Sequence, residues 1–148
     1  MEREEYMALA LQLAREAADS GEVPVGCVIA DAEGNIIGRG HNRRCELSDA
    51  TAHAEIEAIR QAYETLGDWR LSGCSLYVSL EPCPMCAGAI INARIPTVVY
   101  GAKEELTGSC GSVINLFEER YGHRPALYGG VLADESAELL KSFFKEKR

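Results

Sequence analysis

Two short stretches hold residue types that can do chemistry. Residues 80–89 read L-E-P-C-P-M-C-A-G-A, with Cys83 and Cys86 separated by two residues and flanked by Pro82 and Pro84. Residues 51–56 read T-A-H-A-E-I, with Glu55 two positions after His53. A Cys-x-x-Cys alone is open to three readings: half of a structural zinc knuckle, a redox dithiol, or part of a catalytic metal site. A closed knuckle needs a fourth ligand from His41, His123 or another cysteine, but there is no second Cys-x-x-Cys and no lone cysteine at finger spacing. A thioredoxin-like dithiol leaves His-x-Glu without a task. With His53 the thiols make a Cys2His set, and zinc then keeps a fourth position for water, which marks a catalytic site.

Helix and strand signals place these residues. The apolar run CSLYVSL (74–80) is a buried strand. Pro84 marks the start of the helix that follows, because the first helical amide has no partner to lose, and Cys83 is its cap. The helix N-terminus favours thiolate at Cys83 and Cys86, and the helix must end before Pro96. A second helix runs from 53 to 66 with Ile56, Ile59, Tyr63 and Leu66 on its buried side. Positions i and i+2 face different sides of a helix, but in the first turn both side chains lean back towards the N-terminal end. His53 and Glu55 can therefore meet the two thiols at one point.

The remaining chain supplies a frame. Tyr6, Leu9, Ala10, Leu13, Ala14 and Ala17 fall at helical spacing over residues 3–18, ended by Ser20-Gly21. VGCVIA and NIIGRGH form a hairpin with Gly34 in the turn, and residues 42–51 are loop-like. TVVYGA (97–102) closes a βαβ unit, so its strand runs parallel to CSLYVSL. A Gly/Ser-rich loop (107–112), a short helix, a weak strand near ALYGGVL and a last helix, ESAELLKSFFKE, follow. The expected fold is one α/β domain over residues 1–148, an α/β sandwich with a mixed sheet.

At 148 residues the chain suits one core, and nothing in it reads as a signal peptide or approaches the roughly 20 apolar residues of a membrane span. The expected location is cytoplasmic, with no membrane partner. In that reducing compartment paired cysteines point to metal or catalysis, while Cys27, Cys45, Cys74 and Cys110 read as small buried hydrophobes. The net charge of −8 gives no long-range pull towards phosphate, so a nucleic-acid partner needs a local basic patch.

The combination H-x-E…P-C-x-x-C is the signature of zinc-dependent nucleobase deaminases, and matching it is recognition of that pattern. Zinc brings water within reach of ionisation at neutral pH, and Glu55, not being a ligand, is free to carry its proton. The resemblance extends well beyond the motif. E-V-P-V-G (22–26), G-H-N-R (40–43), T-A-H-A-E-I (51–56), L-Y-V-S-L-E-P-C-P-M-C-A-G-A (76–89), A-R-I (93–95), T-G-S-C-G-S (107–112) and G-V-L-A-D-E (130–135) resemble the bacterial tRNA-specific adenosine deaminases, in order over nearly the whole chain.

That resemblance implies a cytidine deaminase-like three-layer α/β/α sandwich with a five-stranded mixed sheet. It also implies a homodimer, one Zn2+ per chain, and conversion of adenosine to inosine at the wobble position of a tRNA anticodon stem-loop. It makes His53, Cys83 and Cys86 the metal ligands and Glu55 the proton shuttle. Asn42 would contact the flipped base and Val23 wall its pocket, with Ala54 and Glu104 also among the substrate-binding residues. Glu81 either orients the site or, as its position favours, complements the nearby helix terminus.

Two departures touch substrate. Glu104 stands where the family has Asp and Leu106 where a Lys is common, and Asp49-Ala50 replaces Asp-Pro. The first removes positive charge where phosphate contacts would be expected, although Arg43-Arg44, Arg120-His123-Arg124 and Lys141, Lys145, Lys147 and Arg148 can supply it. The alternatives are a deaminase of a free nucleobase or nucleoside (guanine, cytosine or adenosine) and a non-enzymatic zinc module, for which Glu55 would have no use.

Overall fold

A strand buried at every position organises the molecule. β1 (Gly26–Ala30) is apolar throughout and pairs antiparallel with β2 (Ile36–His41) on one side and with β3 (Ser75–Leu80) on the other. β4 (Thr97–Ala102) continues the sheet parallel to β3, and the short β5 (Ala126–Tyr128) lies parallel to β4. The five-stranded mixed sheet has the order β2-β1-β3-β4-β5. This computed structural model describes residues 1–146. Lys147 and Arg148, part of the basic tail noted in the sequence, lie outside the described residues.

Alternation along the strands creates two cores. Cys27, Ile29, Leu76, Val78, Val98 and Tyr100 face α3 (Ala54–Leu66) and α4 (Pro84–Ala93). Val28, Ala30, Tyr77 and Val99 face α1 (Arg3–Asp19), where the Tyr6 and Tyr77 rings stack 4.5 Å apart. α5 (Ala133–Glu146) packs beside α1, and the Ser136 hydroxyl donates to the Ser79 carbonyl of β3 at 2.5 Å. The result is the expected three-layer α/β/α sandwich. The βαβ unit is present as read, with α4 crossing between parallel β3 and β4. Gly34 forms the hairpin turn with φ +87°.

Several local expectations change. The inward face of α3 is Ala54, Glu55, Ala58, Ile59 and Ala62; Ile56 and Tyr63 are only half-buried and Leu66 is exposed. The small face wins because the helix lies directly on β2. A Cβ at Gly38 would strike the Ala58 carbonyl, and one at Gly40 the Ala54 carbonyl, so glycines in the strand and alanines in the helix set the approach together. On α1, Met7 and Leu11 are buried and Leu9 and Leu13 half-buried, because the sheet and α5 cover a wider arc than a single stripe.

Residues 42–51 contain a one-turn helix, α2 (Arg44–Leu47), and the short helix after the Gly/Ser loop is a 3-10 turn at Leu116–Glu118. The strand near ALYGGVL stops at Tyr128, before the positive-φ Gly130 and Leu132. Cys27, Cys74 and Cys110 are buried as expected, but Cys45 is exposed because α2 buries no residue.

Gly40→Ala should lower stability by about 1–3 kcal/mol through forced separation of α3 from β2. Gly73→Ala, whose new Cβ would meet only Ala32 Cβ at 3.5 Å, should stay within about 0.5 kcal/mol of the parent. Urea unfolding of both variants, followed by circular dichroism, checks the contrast.

Candidate active site at two helix N-termini

His53 and Cys83 are the N-cap residues of α3 and α4, and both have extended backbone. Neither side chain caps its own helix, so both turn outward beyond the helix ends. His53 Nδ1 lies 3.6 Å from Cys83 Sγ and 3.5 Å from Cys86 Sγ, and the three ligand atoms lie within 4.8 Å of one another. A tetrahedral zinc with Zn–S about 2.3 Å and Zn–N about 2.0–2.1 Å has N···S edges of about 3.5–3.6 Å. The donor set and its spacing therefore fit zinc.

His41 Nδ1 faces the Asn42 carbonyl, and His123 Nε2 faces the Ile95 carbonyl at 2.8 Å. Neither joins a metal-ligating group among the described residues, so the cluster is three-membered and the closed-knuckle reading falls.

Electrostatics separate the groups. Hydrogen bonding from the Cys86 thiol, opposed by burial and helped by His53, draws the Cys83 thiol down to about 4. Cys86 itself is raised by that shared proton and by burial. His53 is raised, first by its hydrogen bond with Cys83. Glu55 is 4% exposed, and burial pushes its carboxyl up to about 7, with the negative charge of Cys83 adding to the shift. A carboxyl near neutrality is suited to taking and returning a proton.

His53, Glu55 and Cys83 floor a cavity of about 230 Å³ walled by Val23, Asn42, Arg44, Glu104, Thr107 and Phe144. Its size suits a single base. Asn42 is pinned: Oδ1 accepts from the Ala54 amide at 2.9 Å, and Nδ2 donates to the Val23 carbonyl at 3.1 Å. Ala54 does not line the cavity; its side chain is fully buried and only its amide reaches Asn42. Sequence reasoning missed Thr107, although the T-G-S-C-G-S stretch was in view. It also missed Phe144, which comes from the far end of the chain with no local signal. Arg44 was noted only for its charge.

The sequence pattern of the cytidine and deoxycytidylate deaminase zinc-binding region matches residues 1–102. The chain belongs to that family. This deaminase is 49% identical to the tRNA-specific adenosine deaminase of Agrobacterium fabrum, over 99% of the chain and 97% of the relative. It spans only about a quarter of the tRNA(Ile)-lysidine synthases of two Deinococcus species that it also matches, 24% and 27% of their lengths. Among solved structures, an A-to-I editing deaminase acting at the wobble position of transfer RNA superposes with a TM-score of 0.87. It shares 47% identity, with 91% of this chain and 98% of that one covered. A guanine deaminase from Nitrosomonas europaea superposes at 0.83 with 26% identity, over 95% and 83% of the two chains.

Glu81 of the deaminase holds a loop, and the helix terminus is not its partner. Its carboxylate accepts the amides of Glu104 (3.1 Å), Cys110 (3.0 Å) and Ser112 (3.0 Å), and also the Ser112 hydroxyl. The loop comes so close that a Cβ at Gly108 would overlap the carboxylate. Glu104 and Thr107 thereby gain fixed places on the cavity wall. Burial opposes the charge, and these hydrogen bonds outweigh it, keeping the carboxyl below its ordinary value of 4.5.

A depressed folded value stabilises the fold above pH 4.5, and that stability is lost as pH falls through the lower folded value. Glu81→Gln should cost about 2–3 kcal/mol at neutral pH, and urea unfolding should find its gap to the parent narrowing below pH 4.5.

Proposed function

We propose that this deaminase hydrolyses adenosine to inosine at the wobble position of tRNA, with one Zn2+ per chain held by His53, Cys83 and Cys86. The reaction replaces the exocyclic amine by a carbonyl: water adds at the amidine carbon and ammonia leaves. Zinc, when bound, supplies the Lewis acidity that makes water a nucleophile near neutral pH. Glu55 takes one proton from the attacking water and delivers it to the ring nitrogen, then carries the second, from the added hydroxyl, to the departing amine, which leaves as ammonia.

Asn42 orients the base through the amide valences left by Ala54 and Val23, while Val23 and Phe144 cover its faces. Glu104 and Thr107 form the opposite lip. The observation that carries the chemistry is Glu55, a buried carboxyl that lines the cavity beside the His53–Cys83–Cys86 cluster without belonging to it. The tRNA substrate is supported by near full-length identity to the Agrobacterium tRNA-specific adenosine deaminase.

The enzyme works as a single deaminase domain over residues 1–148, in the cytoplasm, where its six free cysteines stay reduced. It acts as a homodimer, for which exposed Met85, Val113 and Ile114 offer apolar surface. No helix among the described residues is long and apolar enough to cross a membrane. For tRNA phosphates, Arg44 is the cation at the cavity itself, whereas Arg43 is already paired with Glu46 and Glu57.

A second reading, deamination of a free base or nucleoside, is favoured by the −8 charge and by Glu104, Glu105 and exposed Leu106 at the rim. The guanine deaminase neighbour points the same way.

Wild-type protein should form inosine in a transcribed anticodon stem-loop and leave free guanine, cytosine and adenosine unchanged. Activity on a free base with none on the stem-loop sinks the tRNA reading. Glu55→Ala should keep its zinc while turnover falls by about 10²–10⁴-fold or more, as checked by metal analysis beside single-turnover kinetics.

A further inference from the structure

One buried carboxylate is used neither by the chemistry nor by the metal. Glu22 is 3% exposed and does not line the cavity above Glu55. Its two oxygens cross to α2, accepting the Cys45 amide at 3.1 Å and the Glu46 amide at 2.9 Å. Burial opposes its charge, but the Glu46 and Cys45 bonds outweigh that and hold the carboxyl below its ordinary value.

Besides these bonds, α2 is held by the Arg43 side chain, which pairs with Glu46 and with Glu57 of α3. A helix of four residues is far below the length that is stable by itself. It buries no residue, so no core side chain anchors it. The Arg43 amide bonds the Ala52 carbonyl at 2.9 Å at its entry, and Ser48 in the left-handed region ends it. Yet this segment follows directly on Asn42 and brings Arg44 to the cavity wall. Arg44 has no ion-pair partner among the described residues, and it lines the same cavity as His53.

Next to Glu22 in the chain, the Val23 carbonyl accepts from Asn42 Nδ2, and the Val25 carbonyl accepts from the Asn42 amide at 3.3 Å. Residues 22–25 and 42–46 are thus laced together, with the two Glu22 bonds at the outer end. Asn42 Oδ1 then carries the lacing to Ala54, beside His53.

We propose that Glu22 is a positioning residue for substrate binding: its carboxylate holds α2 so that Asn42 and Arg44 face the base. The inference rests on the reading of the cavity as the base site. It assigns Glu22 no part in bond making. Loss of the carboxylate leaves the Cys45 and Glu46 amides without acceptors and frees the lip, while His53, Glu55, Cys83 and Cys86 keep their own supports on α3 and α4. The defect therefore falls on binding of the ground state and not on the chemical step.

Glu22→Gln keeps the volume but turns an NH2 towards one of the two amides; Glu22→Asp keeps the charge with a shorter reach. For Glu22→Gln we expect KM for the anticodon stem-loop to rise about tenfold or more with kcat within about twofold of the parent. Zinc content should be unchanged, with Glu22→Asp in between. Hydrogen exchange of the zinc-loaded protein should show Cys45 and Glu46 amides losing protection while α3 amides keep theirs.

Retained protection at Cys45 and Glu46, an unchanged KM, or a fall in kcat alone would overturn the proposal. So would global unfolding of both variants, since Glu22 would then support the fold and not the lip. If wild-type protein makes no inosine in the stem-loop, the tRNA reading fails separately. Exchange, together with KM for whichever base is deaminated, then still decides the role of Glu22.

Discussion

Two helix N-termini aimed at one point are the constraint on which this molecule is arranged. An imidazole, two thiols and a carboxyl sit within a few ångströms of one another only because each stands at or next to a helix start, where unpaired amides favour negative charge. His53 and Cys83 occupy equivalent cap positions, and Glu55 and Cys86 follow inside the first turns. The sheet delivers both helices to that point. α4 begins at the carboxyl end of β3 because a parallel crossover must start there, and ligands of open α/β sheets collect at such ends. α3 reaches the same height by lying directly against the glycines of β2.

Three buried carboxylates show how one side chain serves opposite tasks. Glu22 accepts backbone amides of α2 and Glu81 those of the 104–112 loop, and both are held below the ordinary carboxyl value. Glu55 is equally buried but receives no amide beyond its own, and burial drives it up to about 7. Desolvation opposes the charge on all three; amide donors outweigh it at Glu22 and Glu81, while at Glu55 it prevails, aided by the negative charge of Cys83. The satisfied pair fix the walls of the cavity, and the one left short of donors is the group able to move a proton.

The cavity wall is built largely from segments that do not support themselves. α2 buries nothing, and the 104–112 loop is tied back through Glu81. α3 and α4 hold the His53–Cys83–Cys86 cluster and Glu55, while tethered segments hold much of the cavity wall.

Much of the centre was legible in the sequence because its rules are local. Pro84 marks a first helical turn wherever it lies, Cys83 and Cys86 must then share a face, and a βαβ spacing implies parallel strands. His53 could be joined to the thiols by ligand chemistry, and Glu55 by its place in the same first turn and the H-x-E…P-C-x-x-C pattern. What the sequence did not determine depends on contacts between distant segments. The inward face of α3 turned to its alanines because Gly38 and Gly40 allow the helix to touch the strand. Glu22 and Glu81 look like any acidic residue until the amides they accept are seen, 23 to 31 positions away. Phe144 reaches the site only because α5 packs back across the sheet. Local stereochemistry and donor type settle where helices start and what can bind a metal; burial and hydrogen-bond partners exist only once the chain has folded on itself, and they decide which carboxyl is held near neutrality and which residues line the cavity.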